Sequence, residues 1–84
     1  MKKFLWHLKS EKPNYKPGQC NQIIVYGITS QGASFSVCNY CEDGQVYSPV
    51  THRYHDWSEC KFTHWVYSEE LHQTIIASLH QLRI

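Results

Sequence analysis

The stretch Phe62-Thr63-His64-Trp65-Val66-Tyr67-Ser68-Glu69-Glu70-Leu71 decides the fold, because it has the pattern of a short strand running into a helix. Trp65 is the natural core anchor of that strand, since a buried Trp contributes a large apolar area. Ser68 is a suitable N-cap, and the two glutamates after it interact favourably with the helix dipole. The stretch predicts a strand over 60–67 and a helix over 69–82.

The predicted helix has one apolar stripe, formed by Leu71, Ile75, Leu79 and Leu82 at spacings i, i+4, i+8 and i+11. A stripe of this kind packs against a core. In the strand before it, alternation places His64 on the opposite face from Trp65. We therefore expect Trp65 inside and the helix across one face of a sheet.

Earlier segments supply the other strands. Gln22–Tyr26 is β-branched and aromatic, and its three consecutive aliphatic residues indicate that both faces are covered. The segment 33–40 alternates, with Phe35 on one face and Cys38 on the other, which predicts a half-buried strand. The apolar segment 4–8 indicates a first strand or an extended segment around its Trp.

A turn of the Asp-Gly type at Asp43-Gly44 predicts a hairpin, because Gly supplies the positive φ that a type I′ turn needs. The return strand is Gln45–Ser48, ended by Pro49. Residues 49–61 have no clear period and are expected to form a long loop. The fold class is therefore α+β: a small antiparallel sheet of three to five strands with one C-terminal helix packed on one face.

The 84 residues make one domain, 1–84, with little room for both a core and a deep catalytic cleft. The net charge of +1 argues against a polyanion binder, so a nucleic-acid partner is not expected. The N-terminal apolar run is too short for a signal peptide, and no run reaches the ~20 residues of a membrane span. We expect a cytoplasmic protein with reduced cysteines and no membrane contact.

Metal binding is one open hypothesis. Cys38 and Cys41 form a Cys-x2-Cys pair, and His55 and Cys60 follow within about 20 residues, so these four side chains could bind a structural zinc ion. Against this, Cys38 lies within an alternating strand rather than in a tight turn of its own. The competing interpretation is buried free thiols without a cofactor.

The segment 51–57 has the most unusual local composition, and its candidate binding residues are His52, Arg53, Tyr54, His55 and Trp57. Arg53, Tyr54 and Trp57 could stack on a base and pair with a phosphate, which would make a nucleotide or small-molecule site. The same residue types are enriched at protein–protein hot spots. A third interpretation is a loop folded over the sheet edge by its aromatic side chains.

The order of short motifs resembles a family of short phage and prophage proteins of unknown function. Their pattern is a Trp, a Pro-containing loop ending in Gly, an aliphatic strand ending in Val-Tyr, an Asp-Gly turn and a closing Thr-His-Trp-Met-Pro. The corresponding residues here are Trp6, Glu11-Lys12-Pro13, Gly18, Ile23-Ile24-Val25-Tyr26, Asp43-Gly44 and Thr63-His64-Trp65. Val66-Tyr67 replaces Met-Pro, and a helix follows instead of a Pro-rich tail.

The resemblance implies a small accessory protein of a mobile element that binds a host or defence-system protein in the host cytoplasm. The sequence has no phosphate-binding glycine loop, no Gly-x-Ser-x-Gly and no paired-carboxylate signature, so we expect no enzyme. The main hypothesis is a non-enzymatic protein that inhibits or modulates a host protein, using 51–57 as its contact surface. Alternatives are a small-molecule or nucleotide-binding protein and a structural zinc domain, and a homodimer through an open strand edge is a further option.

Overall fold

Six strands form one open antiparallel sheet, followed by a single helix, in a computed structural model that describes residues 5–82 without the side chains of Thr29 and Leu82. Along the sheet the strands lie in the order β1-β6-β2-β3-β4-β5. The elements are β1 (His7–Leu8), β2 (Gln22–Thr29), β3 (Gly32–Tyr40), β4 (Gln45–Ser48), β5 (Arg53–Asp56), a 3-10 helix (Trp57–Glu59), β6 (His64–Tyr67) and α1 (Ser68–Leu82).

The α+β prediction is confirmed, but the sheet has six strands rather than three to five. The additional strand is β5, which lies inside the segment 49–61 that the sequence predicted as a loop. Its sequence, Arg-Tyr-His-Asp, has no apolar alternation, and it becomes a strand by pairing with β4 from Gln45↔Asp56 to Ser48↔Arg53. In the predicted first strand, only His7–Leu8 pairs with β6, and Phe4 lies outside the described residues.

The core lies on one face of the sheet, which we call the inner face. Side chains of β2, β3, β4 and β6 meet there under two aromatic rings from the segment between β5 and β6. The buried cluster consists of Ile23, Val25, Tyr40, Val46, Trp57, Phe62 and Trp65. The segment 60–63 crosses close above β2, where a Cβ on Gly27 would come within 3.1 Å of the Phe62 Cα.

Trp65 is the centre of this cluster and is 1% exposed, as its size predicted. The His7 ring stacks on it at 4.3 Å between centroids, and the Trp57 ring meets it edge-on at 6.2 Å. Its Nε1 donates hydrogen bonds to the Leu8 carbonyl at 3.1 Å and to the Glu11 carbonyl at 2.7 Å. A single side chain therefore joins the core to the N-terminal segment.

The alternation of β3 is present, but its more apolar side is the exposed one. Phe35 is 64% exposed and Val37 is 39% exposed on the outer face, whereas Cys38 and Tyr40 face the core. The reason is that the aromatic cover packs on the inner face, where Trp57 meets Tyr40 edge-on at 5.7 Å.

Helix α1 begins at Ser68, as predicted. Among the strands, it packs mainly against β2 and β6. It meets the outer face near Ile24 and the fully buried Val66. The predicted packing across one face is only partial, because Ile75 and Leu79 are 48% and 53% exposed.

Replacement of Trp65 by Ala should lower the free energy of unfolding by about 3–5 kcal/mol, through lost apolar contacts and loss of the indole hydrogen bonds to the Leu8 and Glu11 carbonyls. Urea denaturation measures this, with Trp65→Phe as the milder variant that keeps a ring but removes the donor. The matched control is Val50→Ala, because Val50 is 80% exposed and should change stability by less than about 0.5 kcal/mol. A loss below about 1 kcal/mol for Trp65→Ala would contradict the central place of this side chain.

Candidate functional site

Strand β5 is the outermost strand on one side of the sheet, and among the described residues it has a strand neighbour only in β4. The opposite edge is β1, which is two residues long. A strand at an edge presents backbone N–H and C=O groups that can pair with another chain. Of the two outermost strands, β5 is the longer, and it is made of residues that the sequence selected as a binding segment.

Three of the predicted binding residues, His52, Arg53 and Tyr54, are exposed at this edge, and two of them share one face. His52 is in the left-handed region, with φ of 57°, and its Nδ1 lies 3.3 Å from the Tyr47 hydroxyl. Tyr54 is 63% exposed on the outer face, with its ring 5.0 Å from that of Tyr47. Arg53 is also exposed, but it pairs with Ser48 and alternation directs its side chain to the inner face. The structure thus adds Tyr47 to the candidate binding residues. The sequence does not indicate Tyr47, because its contact with Tyr54 depends on the pairing of β4 with β5.

The other two predicted residues lie elsewhere. His55 is half-buried on the inner face, with Nε2 3.3 Å from the Thr51 hydroxyl. Trp57 is 7% exposed and belongs to the core, and its Nε1 donates to the Lys9 carbonyl at 2.9 Å. The expectation of an exposed Trp57 on a contact loop is therefore wrong, because the chain turns into the 3-10 helix at this residue and carries its ring inward.

The nucleotide-binding hypothesis required Arg53, Tyr54 and Trp57 to act on one base. Tyr54 lies on the outer face of the sheet, whereas Trp57 lies under the inner face. A base stacked on Tyr54 would be separated from Trp57 by the sheet itself. The geometry does not form that stacking site.

The four residues of the zinc hypothesis likewise do not form a set of metal ligands. In residues 5–82 no group of three or more His, Cys, Asp or Glu side chains is placed to hold a metal ion. Cys41 lies at the hairpin turn with its thiol 3.6 Å from the Asn39 carbonyl, while Cys60 follows the 3-10 helix with its thiol 3.3 Å from the Asp56 carbonyl. Cys38, His55 and Cys60 line a common cleft without forming a ligand set.

That cleft lies on the inner face beside the core and has a volume of about 310 Å³. Burial raises the pKa of the Cys38 thiol, and the nearby Cys60 raises it further. Burial also raises the pKa of Cys60, an effect that Lys9 partly opposes. Both thiols therefore stay protonated at neutral pH, and His55 contacts Thr51 rather than a thiol. Burial therefore favours the neutral thiol over the nucleophilic thiolate at both positions.

A second exposed surface lies on the outer face, at the end of the β2–β3 hairpin, and the sequence motifs did not point to it. We call it the outer apolar surface; it consists of Ile28, Phe35 and Val37, of which Ile28 is 70% exposed. The Trp6 ring packs beside it, 6.2 Å from that of Phe35. One feature of the sequence does indicate this surface: residues 18–41 contain no Asp, Glu, Lys or Arg.

No helix in the described part of the chain is long and apolar enough to cross a membrane. Comparison with protein-family models, with curated proteins and with solved structures finds no match to this chain. Its function is therefore inferred from the geometry of its surfaces.

The raised thiol pKa values predict a loss of stability at alkaline pH. In the unfolded chain Cys38, Cys41 and Cys60 lose their protons near the ordinary value of 9.0, whereas in the folded chain they lose them at higher pH. The stability present below pH 9.0 should therefore fall as the pH rises from there through the folded pKa values. Urea unfolding under reducing conditions between about pH 8 and 10.5 measures this fall.

The matched variant is Cys38→Ala, in which the part of the alkaline fall that comes from Cys38 should disappear. Cys20→Ala serves as the control, because Cys20 is exposed and should leave the fall unchanged. If Cys38→Ala shows the same alkaline slope as the unmodified chain, burial of Cys38 is not a source of the effect.

Proposed function

We propose that this chain is a non-enzymatic protein-binding module that takes an extended segment of a host protein onto the open edge of β5. The observation that carries the proposal is the position of β5 as the outermost strand, with Arg53 and Tyr54 exposed on it. Addition of a partner strand to a sheet edge supplies main-chain hydrogen bonds, while side chains next to the edge supply specificity.

The side chains at this edge have the composition of a binding surface. Tyr and Arg are enriched among the residues that dominate binding energy, and Tyr loses little conformational entropy when it is held. Contacts between Tyr47, Tyr54 and His52 already fix part of the surface before a partner arrives. Preorganisation of this kind lowers the entropic cost of association.

The edge is also bounded by charges of opposite sign. Arg53 begins β5 and Asp56 ends it, and the Asp56 carboxylate accepts a hydrogen bond from the Gln45 side chain at 2.8 Å. A partner segment with complementary charges at its two ends would be held in one register. The proposed partner is therefore a protein with an exposed extended segment rather than a nucleic acid or a membrane.

The biological context of the proposal comes from the resemblance to phage and prophage proteins. In that context the chain acts in the host cytoplasm, where it inhibits or modulates a host or defence-system protein by occupying an edge or a segment that protein needs. No metal, cofactor or catalytic group is required, since the activity is the binding itself.

The test begins with affinity capture from the native host, followed by binding of the purified partner to this chain by calorimetry. Arg53→Ala and Tyr54→Ala should each weaken binding by at least about tenfold, as expected for hot-spot residues. Val50→Ala is the matched control, because Val50 is exposed in the turn before β5 and outside the edge. Unfolding curves of all three variants should match that of the unmodified chain.

Hydrogen exchange provides the second measurement. Those amides of residues 53–56 that do not bond to β4 should exchange fast in the free chain and become protected in the complex, because a partner strand pairs with them. The proposal is wrong if the partner binds with unchanged affinity to both variants, or if protection appears elsewhere and not on β5.

A further inference from the structure

Two exposed surfaces of this chain have the composition of an interface. The first is the outer apolar surface of β2 and β3, within the charge-free residues 18–41. The second is the side of α1 that carries Ile75 and Leu79, within residues 71–81, which also contain no Asp, Glu, Lys or Arg. Solvent-facing sides of helices are normally charged, whereas the centres of protein interfaces are depleted of charge.

The helix has little support from its own chain. Only Leu71 and Ile76 of its apolar residues with described side chains are half-buried. An isolated helix of about 15 residues is marginal in water, and this one contains β-branched Thr74, Ile75 and Ile76, which are weaker helix formers than Ala or Leu. Most helical stability comes from packing an apolar side, so α1 needs a cover that the described chain does not supply.

The outer apolar surface also lacks a cover from the described chain. Helix α1 meets the sheet near Ile24, towards the start of β2, whereas Ile28 lies at the far end of the same strand. The helix therefore leaves Ile28, Phe35 and Val37 uncovered. A helix packed on a sheet is the standard way to cover such a face.

We propose that a second copy of this chain covers both surfaces, in a two-fold symmetric dimer where α1 of each copy packs on the outer apolar surface of the other. The exposed parts of Ile28, Phe35, Val37, Ile75 and Leu79 sum to on the order of 500 Å² per copy, about two-thirds of the ~800 Å² per partner of a standard interface. Half-buried Trp6, Ile24 and Leu71 border these surfaces and add area.

Charge favours a second copy as the occupant. Both surfaces lie in charge-free segments, and the net charge of the whole chain is only +1, so two copies repel each other weakly. A two-fold arrangement also buries both surfaces of both copies at once, which a single unrelated partner would not do. The proposed interface does not use the backbone edge of β5, so the dimer does not rest on the proposed function.

The first measurement is the mass of the purified full chain in solution, by light scattering after size exclusion. At about 100 µM, above the micromolar Kd of the weakest standard-size interfaces, the mass should be twice the 9.9 kDa of one chain. A mass of one chain at this concentration overturns the proposal and assigns the two surfaces to a different occupant.

The second measurement uses charged variants of each surface. Phe35→Glu and Leu79→Lys should each reduce the mass to that of one chain, because each places a charge in the interface. Ser36→Glu, on the inner side of the same strand, and Ala77→Glu, on the other side of α1, should remain dimeric. Circular dichroism checks folding, and Ile28→Glu replaces Phe35→Glu if that variant unfolds.

The third measurement mixes the two charged variants. In the proposed geometry one interface of the mixed dimer places the carboxylate introduced by F35E against the ammonium group introduced by L79K. The other interface is unmodified, so mixing should restore the dimer mass. A helix–helix dimer would tolerate Phe35→Glu, and a sheet–sheet dimer would tolerate Leu79→Lys; either result overturns the proposal.

Discussion

The rest of the structure depends on the position of the Trp65 ring under the N-terminal segment. Its apolar surface packs against Trp57 and is capped by the stacked His7 ring, while its one donor is shared between the carbonyls of Leu8 and Glu11. A buried indole must place its N–H on an acceptor, and here the acceptors belong to the chain at and after the end of β1. The same side chain therefore fills the core and fixes β1 beside β6.

This arrangement makes the core one-sided. A chain of 84 residues buries only about 60–65% of its unfolded surface, so a large part of its surface stays exposed. The large rings Trp57, Phe62 and Trp65 all lie on the inner face. The outer face is covered in part by Trp6 and the beginning of α1. The exposed Phe35 and the exposed side of α1 are thus consequences of where the aromatic residues were placed.

Those parts of the fold that depend on local sequence could be predicted. The start of α1 follows from Ser68 and the glutamates after it, the hairpin from Asp43-Gly44, and the burial of Trp65 from its size. Two features could not be predicted, because they depend on tertiary pairing. Strand β5 has no pattern of its own and exists through its register with β4. The burial of Cys38 rather than Phe35 depends on which face the later aromatic segment covers.

The candidate site shows the same division. Composition selected the segment 51–57, and His52, Arg53 and Tyr54 are exposed at the edge. Alternation puts Arg53 and His55 on the opposite face from Tyr54, and the 3-10 helix carries Trp57 into the core. Because successive strand residues point to opposite faces, Tyr54 and His55 cannot share a surface, and Trp57 is needed in the core. Residues that are close in sequence form one surface only if the periodicity of the secondary structure places their side chains on the same face. The charge-free segments 18–41 and 71–81 show the reverse case. Their exposed apolar side chains are far apart in sequence and belong to no motif, and they form exposed apolar surfaces only because the fold leaves them uncovered.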